Sequence, residues 1–336
     1  MINKQITLIS PKTFKIETNL IDNQNVIIKP KYLSICQADL RYYNGNRPKE
    51  ILKNKLPLIL IHEGIGEVIY SNNINFNIGD SVCLIPILKN KSTINDYNYD
   101  YLNTLFMSSN INGFLQKYIQ TPNENLIKIK ESKPQYATFE VGSVIMQSIR
   151  RLRNFGLQNF NKIAIIGTGS MAFWSALLYK EIFNCKIDII GNHIEKLEKF
   201  DFVDGCYLFN EFENKYDLII EAVGYNSDII FDKAIKNLNN LGILLVLGIN
   251  EKLIQINMRK IMEKGITIIS SHRSIKDDFI NCINLVENSK YIQNHLTKII
   301  SELIKAKNLS DINLAFKKCK NNQFKTIISM EGLIYE

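Results

Sequence analysis

No two of the six cysteines, at positions 36, 83, 185, 206, 282 and 319, form a C-x-x-C pair. That scatter excludes a disulfide framework and fits a reducing, cytoplasmic compartment. No apolar run approaches the roughly 20 residues needed to cross a bilayer. The opening "MINKQITLISPKTF" lacks the apolar core of a signal peptide. Basic residues outnumber acidic ones 41 to 33, for a net charge of +8, yet they form no run of five or six. A nucleic-acid groove is therefore not indicated, and the excess fits a milder pull on small anions. Internal repeats and low-complexity linkers are missing as well. What remains is a soluble, intracellular chain without a membrane partner.

At 336 residues, 46% of them apolar, the chain is long enough for two domains with a core each. Up to about residue 130 it reads as short strands: "NVIIKPKYLSI", "GIGEVIY", "DSVCLIPI" and "GFLQKYIQTP" are separated by Gly, Asn and Pro. In "FEVGSVIMQSIRRLRNF" the residues Val144, Ile145, Ile149, Leu152 and Phe155 recur at helical spacing. From Lys162 onward strands ("KIAIIG", "KIDIIG", "YDLIIEAVG", "GILLVLG", "ITIISS") alternate with helices ("SMAFWSALLYKEIF", "NSDIIFDKAIKNLN"). Alternating βαβ order predicts an α/β fold with a doubly wound parallel sheet. The expected division is a β-rich domain over 1–142, a nucleotide-binding domain over 143–274, and a return of 275–336 to the first.

"IAIIGTGSMAFW" supplies Gly167-x-Gly169-x-x-Ala172 between a strand and a helix. Gly167 permits the tight turn, Gly169 lets a pyrophosphate approach the backbone, and Ala172 allows close helix–strand packing. A carboxylate at the tip of the second strand, which would select NAD, is lacking. The tip reads Gly191-Asn192-His193, and Asp188 lies too early. NADPH is the expected cofactor, with Asn192, His193 and Lys196 near its 2′-phosphate; Lys196 reads equally well as a solvated helix residue.

Cys36-Gln-Ala-Asp39, His62-Glu63-Gly-Ile-Gly66 and Gly79-Asp80-Ser-Val82, together with "DLIIEAVG", resemble the zinc-dependent medium-chain alcohol and polyol dehydrogenases. That resemblance implies a GroES-like β-rich catalytic domain followed by a Rossmann domain. In the polyol branch a glutamate before the linking helix completes the metal surroundings, and Glu140 holds the matching place. The implied metal ligands are Cys36, His62 and Glu140, with Glu63 either a fourth ligand or exchanging with water, and Asp39 supporting the site. A thiolate, an imidazole and a carboxylate with one open position suit a catalytic Zn²⁺. The lobe "LKNKSTINDYNYDYLNTLFMSSN" has no cysteine, so one zinc per chain is expected. Relatives carry Ser or Thr two places after the cysteine as a proton relay; here Ala38 cannot donate. The proton must come through water, from Tyr43, or by way of Glu63.

A narrower resemblance, in "SICQADLRYYNGNR", "LPLILIHEGIGEV", "SIRRL" and "SSHRSIKDDF", is to the ribulose-5-phosphate reductases that make ribitol 5-phosphate for teichoic acids and capsules. It implies a phosphorylated ketose, with Arg273 first and then Arg41, Arg47 and Lys276 as candidate phosphate contacts. It also implies a homodimer and a cytidylyltransferase that takes up the product. Two other readings stay open: a sorbitol- or xylitol-type polyol dehydrogenase, and a non-catalytic NADP-binding scaffold for a cytidylyltransferase.

Overall fold

The computed structural model describes residues 1–22, 24–250 and 252–335. They fall into two compact units. The first comprises Met1–Glu140, Ser274–Glu287 and Ile299–Glu336; the second comprises Val141–Arg273 and Asn288–Lys298.

Branched residues dominate the strand Val26–Ser34, which forms the centre of the first unit's seven-stranded sheet. Its neighbours are Glu63–Tyr70 on one side and Lys325–Ser329 on the other, both antiparallel to it. Pro30 has no N–H to give the ladder, and the register with Glu63–Tyr70 shifts between Pro30 and Tyr32. The apolar faces close over a core that includes Ile28, Leu33, Tyr43, Leu60, Phe114 and Phe316. The C-terminal strands Ile300–Lys305 and Lys325–Ser329 complete this sheet, so the chain's last segment belongs to its first unit.

Six parallel strands make the second sheet, in the order Gly205–Leu208, Lys186–Gly191, Lys162–Ile166, Tyr216–Glu221, Leu238–Val246, Thr267–Ser270. This is the doubly wound arrangement. The order turns back on itself between Lys162–Ile166 and Tyr216–Glu221, where the topology opens a crevice. The helix Ser170–Phe183 packs on the strands Lys162–Ile166 and Lys186–Gly191, with Ala172, Phe173 and Trp174 fully buried.

Two details depart from the sequence reading. The helix Phe139–Asn154 stops before Phe155, which is 62% exposed instead of continuing the apolar stripe. Residues 288–298 do not return to the first unit with their neighbours. The helix Lys290–Leu296 buries Ile292 and Leu296, while His295 and Tyr291 pack toward Phe202 in the second unit.

Candidate metal centre and dinucleotide loop

Strand register assembles the first site. Ser34 ends one strand opposite Glu63, which begins the next, so the chain just beyond Ser34 meets the chain just before Glu63. Cys36 and His62 occupy those overhangs. One potential ligand atom from each of Cys36, His62 and Glu63 lies within 4.8 Å of the others. On the other flank Ser34 pairs with Ile327, and Ile35 N donates to Thr326 O at 3.1 Å. Lys325 is thereby brought level with Cys36.

Asp39 organises the cluster from within the first turn of the helix Gln37–Tyr43. Its Oδ1 lies 3.3 Å from His62 Nδ1 and accepts from Ile61 N at 3.1 Å and Ser108 Oγ at 2.6 Å. Its Oδ2 accepts from Cys36 N at 3.0 Å. Burial pushes this carboxyl up, but His62 and the hydrogen bonds outweigh it, and its pKa is lowered. With Nδ1 engaged, His62 is left with Nε2 for a metal, the arrangement typical of a ligating histidine. Ile61, immediately before His62, holds the left-handed conformation with φ of 71°. Such a conformation costs a branched residue on the order of 1–3 kcal/mol and persists where surrounding contacts fix it. Here Asp39 takes its N–H and Phe114 N donates to its carbonyl at 2.7 Å.

Glu63 is fully buried, and both of its oxygens are engaged. Oε2 accepts from Ser34 Oγ at 2.6 Å, and Oε1 accepts from Lys325 Nζ at 2.5 Å. Burial opposes the charge on Lys325, but Glu63, Cys36 and Glu140 overcome it and raise its pKa. Glu140 opens the helix Phe139–Asn154 beside these groups. Its carboxyl is pushed up to about 7, first by burial and then by Glu63 and Asp39, against the pull of His62 and Lys325. A cation among these carboxylates would reverse that upward push.

The structure sends Tyr43 elsewhere. Its ring stacks on Phe14 and packs against Phe316, and its hydroxyl lies 3.2 Å from Asn313 Oδ1. Burial raises its pKa. These contacts correct the reading of Tyr43 as proton donor: it is a core aromatic. Lys325, Ser34 and Ser108 escaped the sequence reading because only sheet register and loop packing bring them to the cluster.

Gly167 takes φ of 132° after the Lys162–Ile166 strand, a conformation that side chains rarely adopt. Gly169 caps the Ser170–Phe183 helix, and Ala172 is completely buried. Asn192 and His193 are exposed beyond the second strand, with His193 Nδ1 3.6 Å from Glu195; Lys196 is half-buried in the short helix that follows.

The phosphate candidates fall in both units. Arg41 closes the last turn of its helix, Arg47 lies over the Tyr42 ring at 5.0 Å, and Lys276 N donates to Tyr97 Oη at 3.2 Å, all in the first unit. Arg273 belongs to the second unit and holds φ of 57°.

Residues 22–131 match the alcohol dehydrogenase GroES-like domain. The chain is 31% identical to ribulose-5-phosphate reductase of Streptococcus pneumoniae, covering 98% of each protein. It is 30% identical to ribulose-5-phosphate reductase 1 of Staphylococcus aureus over 94% of this chain and 95% of that one. A crystal structure of S. aureus TarJ in complex with NADPH superposes with a TM-score of 0.86 at 28% identity, covering 98% of this chain and 99% of the other.

Proposed function

Since the chain belongs to the ribulose-5-phosphate reductases of the medium-chain alcohol and polyol dehydrogenase family, we infer that it reduces D-ribulose 5-phosphate to D-ribitol 5-phosphate with NADPH. Hydride passes from the nicotinamide to the ketone carbon, and a proton passes to the ketone oxygen. The observation that carries this reading is the convergence of Cys36, His62 and Glu63 at the ends of paired strands.

The donor set fits one Zn²⁺: a sulfur, an imidazole nitrogen freed by Asp39, and a carboxylate oxygen of Glu63, with Glu140, whose carboxyl feels the charges of His62 and Glu63, as the further candidate ligand. When bound, the metal would polarise the ketone. Asp39 fixes the orientation of the His62 ring. Ser34 and Lys325 fix the Glu63 carboxylate and keep it from swinging freely. With Ala38 unable to donate and Tyr43 committed to the core, the proton reaches the ketone oxygen through Glu63 or water.

The Gly167 loop and the Ser170–Phe183 helix N-terminus receive the NADPH pyrophosphate, with Asn192, His193 and Lys196 near the 2′-phosphate. Arg273, with Arg41, Arg47 and Lys276 as further candidates, binds the substrate phosphate. The product would supply a cytidylyltransferase for ribitol-containing wall or capsule polymers. We assign the protein to the cytoplasm, the compartment that supplies NADPH and phosphorylated pentoses; among the described residues no helix is long and apolar enough to cross a membrane. Ile268, 40% exposed on the outermost strand, Thr267–Ser270, supports a homodimer joined along that edge.

Incubation with NADPH and ribulose 5-phosphate should yield ribitol 5-phosphate by mass spectrometry, in a reaction abolished by a chelator and restored by Zn²⁺. Turnover that survives complete metal removal would contradict the assignment.

A further inference from the structure

Glu221 ends the strand Tyr216–Glu221 with its side chain completely buried, and among the described residues no cation pairs with it. Backbone amides satisfy it instead. Its Oε1 accepts from Val223 N at 2.7 Å and Gly224 N at 2.8 Å, and its Oε2 accepts from Gly248 N at 3.2 Å. Its own carbonyl accepts from Leu247 N at 2.9 Å and Gly248 N at 3.1 Å. One residue therefore fastens the turn after its own strand to the loop after the neighbouring strand, Leu238–Val246.

The fit leaves no slack. A methyl group on Gly248 would lie 2.4 Å from Glu221 Oε2 and 2.3 Å from Gly224 N. The same turn also abuts the phosphate loop: Ala222 N donates to Ile166 O at 2.9 Å, and a Cβ on Gly167 would meet Ala222 O at 3.1 Å. The position in the sheet gives this node its meaning. Tyr216–Glu221 is the strand across the topological switch from Lys162–Ile166, and dinucleotides lie over the carboxyl ends of the strands at such a switch. The Gly167 loop and the Asn192 tip take the phosphates and adenosine on one side. The turns at Val223–Gly224 and Gly248 border the other side, which falls to the nicotinamide half.

Resting on the NADPH reading above, we propose that Glu221 is a positioning residue: its carboxyl group locks the Val223–Gly224 turn to the Gly248 loop and so shapes the seat of the nicotinamide half. It need not touch the cofactor, since its oxygens are spent on backbone N–H groups. The substitution Glu221→Gln keeps the volume but replaces one acceptor oxygen by an N–H₂, which must then face a backbone N–H.

The test compares NADPH with adenosine 2′,5′-bisphosphate, which carries only the adenosine half, in titrations of wild-type and Glu221→Gln protein. The variant should bind the bisphosphate as wild type does and NADPH about tenfold or more weakly, the loss expected for one spoiled buried hydrogen bond. Equal weakening of both ligands would mean a merely structural role and overturn the proposal, as would unchanged NADPH binding. Wild-type protein that binds neither ligand would instead sink the cofactor reading, which keeps the two failures distinct. Should the variant not fold, hydrogen exchange of cofactor-free wild type decides. Protection of the Val223, Gly224 and Gly248 amides comparable to Ile219 and Ile220 supports the lock, and exchange at exposed-loop rates refutes it.

Discussion

Lys325 Nζ lies 2.5 Å from Glu63 Oε1 across 262 residues of sequence, and neither side chain is open to solvent, at 7% and 0% exposure. Removing one member of such a buried pair strands the other charge. Lys325→Met should therefore destabilise the first unit by roughly 3–5 kcal/mol, while Lys325→Met combined with Glu63→Gln should recover much of that loss. Denaturant midpoints of the three proteins measure it. An unchanged midpoint in the single variant would show that the pair contributes nothing.

Asp39 accepts from three donors besides facing His62 Nδ1. Asp39→Asn keeps the shape but gives up the charge and one acceptor. Zinc affinity, measured by competition with a chelator, should fall about 10–100-fold, as for other groups that orient a ligating histidine. Wild-type affinity in the variant would separate Asp39 from the metal centre.

Cys36→Ala should lose the metal yet keep the fold, because the strands that present Cys36 and His62 are held by the sheet and its core rather than by an ion. Wild-type protein should carry about one zinc per chain by elemental analysis, the variant almost none, with the same far-ultraviolet circular dichroism. Global unfolding of the variant would mean that the metal supports the fold.

Asn192 stands exposed beyond the second strand of the nucleotide unit, where a carboxylate would face a 2′-phosphate. Asn192→Asp should lower the NADPH-to-NADH preference in kcat/KM by roughly tenfold or more through like-charge repulsion. A preference left intact would place the 2′-phosphate elsewhere.

His272 gives the pH dependence a definite sign. Burial, and then the neighbouring Arg273, lower its pKa to about 4 from an ordinary value of 6.5. Between those values the unfolded chain binds a proton that the folded chain refuses. Its contribution to stability should thus be flat above about pH 7, fall as pH drops from 6.5 to 4, and level off below, by up to about 3 kcal/mol. Replacing His272 by Gln should flatten that part of the stability profile; an identical slope would assign it to other groups.

Legibility in the sequence followed the range of the interactions. Gly167-x-Gly169 lies between a strand and the helix that it opens, so neighbouring residues reveal it. Cys36 and His62 belong to short motifs whose resemblance to a known family stands in for their distance in sequence. Lys325 has no such context: "FKTIISM" reads only as a strand, and its single lysine becomes special once Ile327 pairs with Ser34. Tyr43 misled for the converse reason. It is near Cys36 in sequence, but a helical turn rotates it into the core beside Phe14 and Phe316. Phe155 continued an apolar period past the point where the helix stops, and periodicity alone carries no stop signal.

Whether the enzyme acts on a phosphorylated ketose is decided by kcat/KM for ribulose 5-phosphate against ribulose, with NADPH and the zinc-loaded protein. The phosphate supplies binding energy that orients the carbonyl, so the phosphorylated sugar should be favoured by about 100-fold or more, in kcat as well as KM. Equal efficiency with the two sugars would contradict the account and point to a dehydrogenase of unphosphorylated polyols.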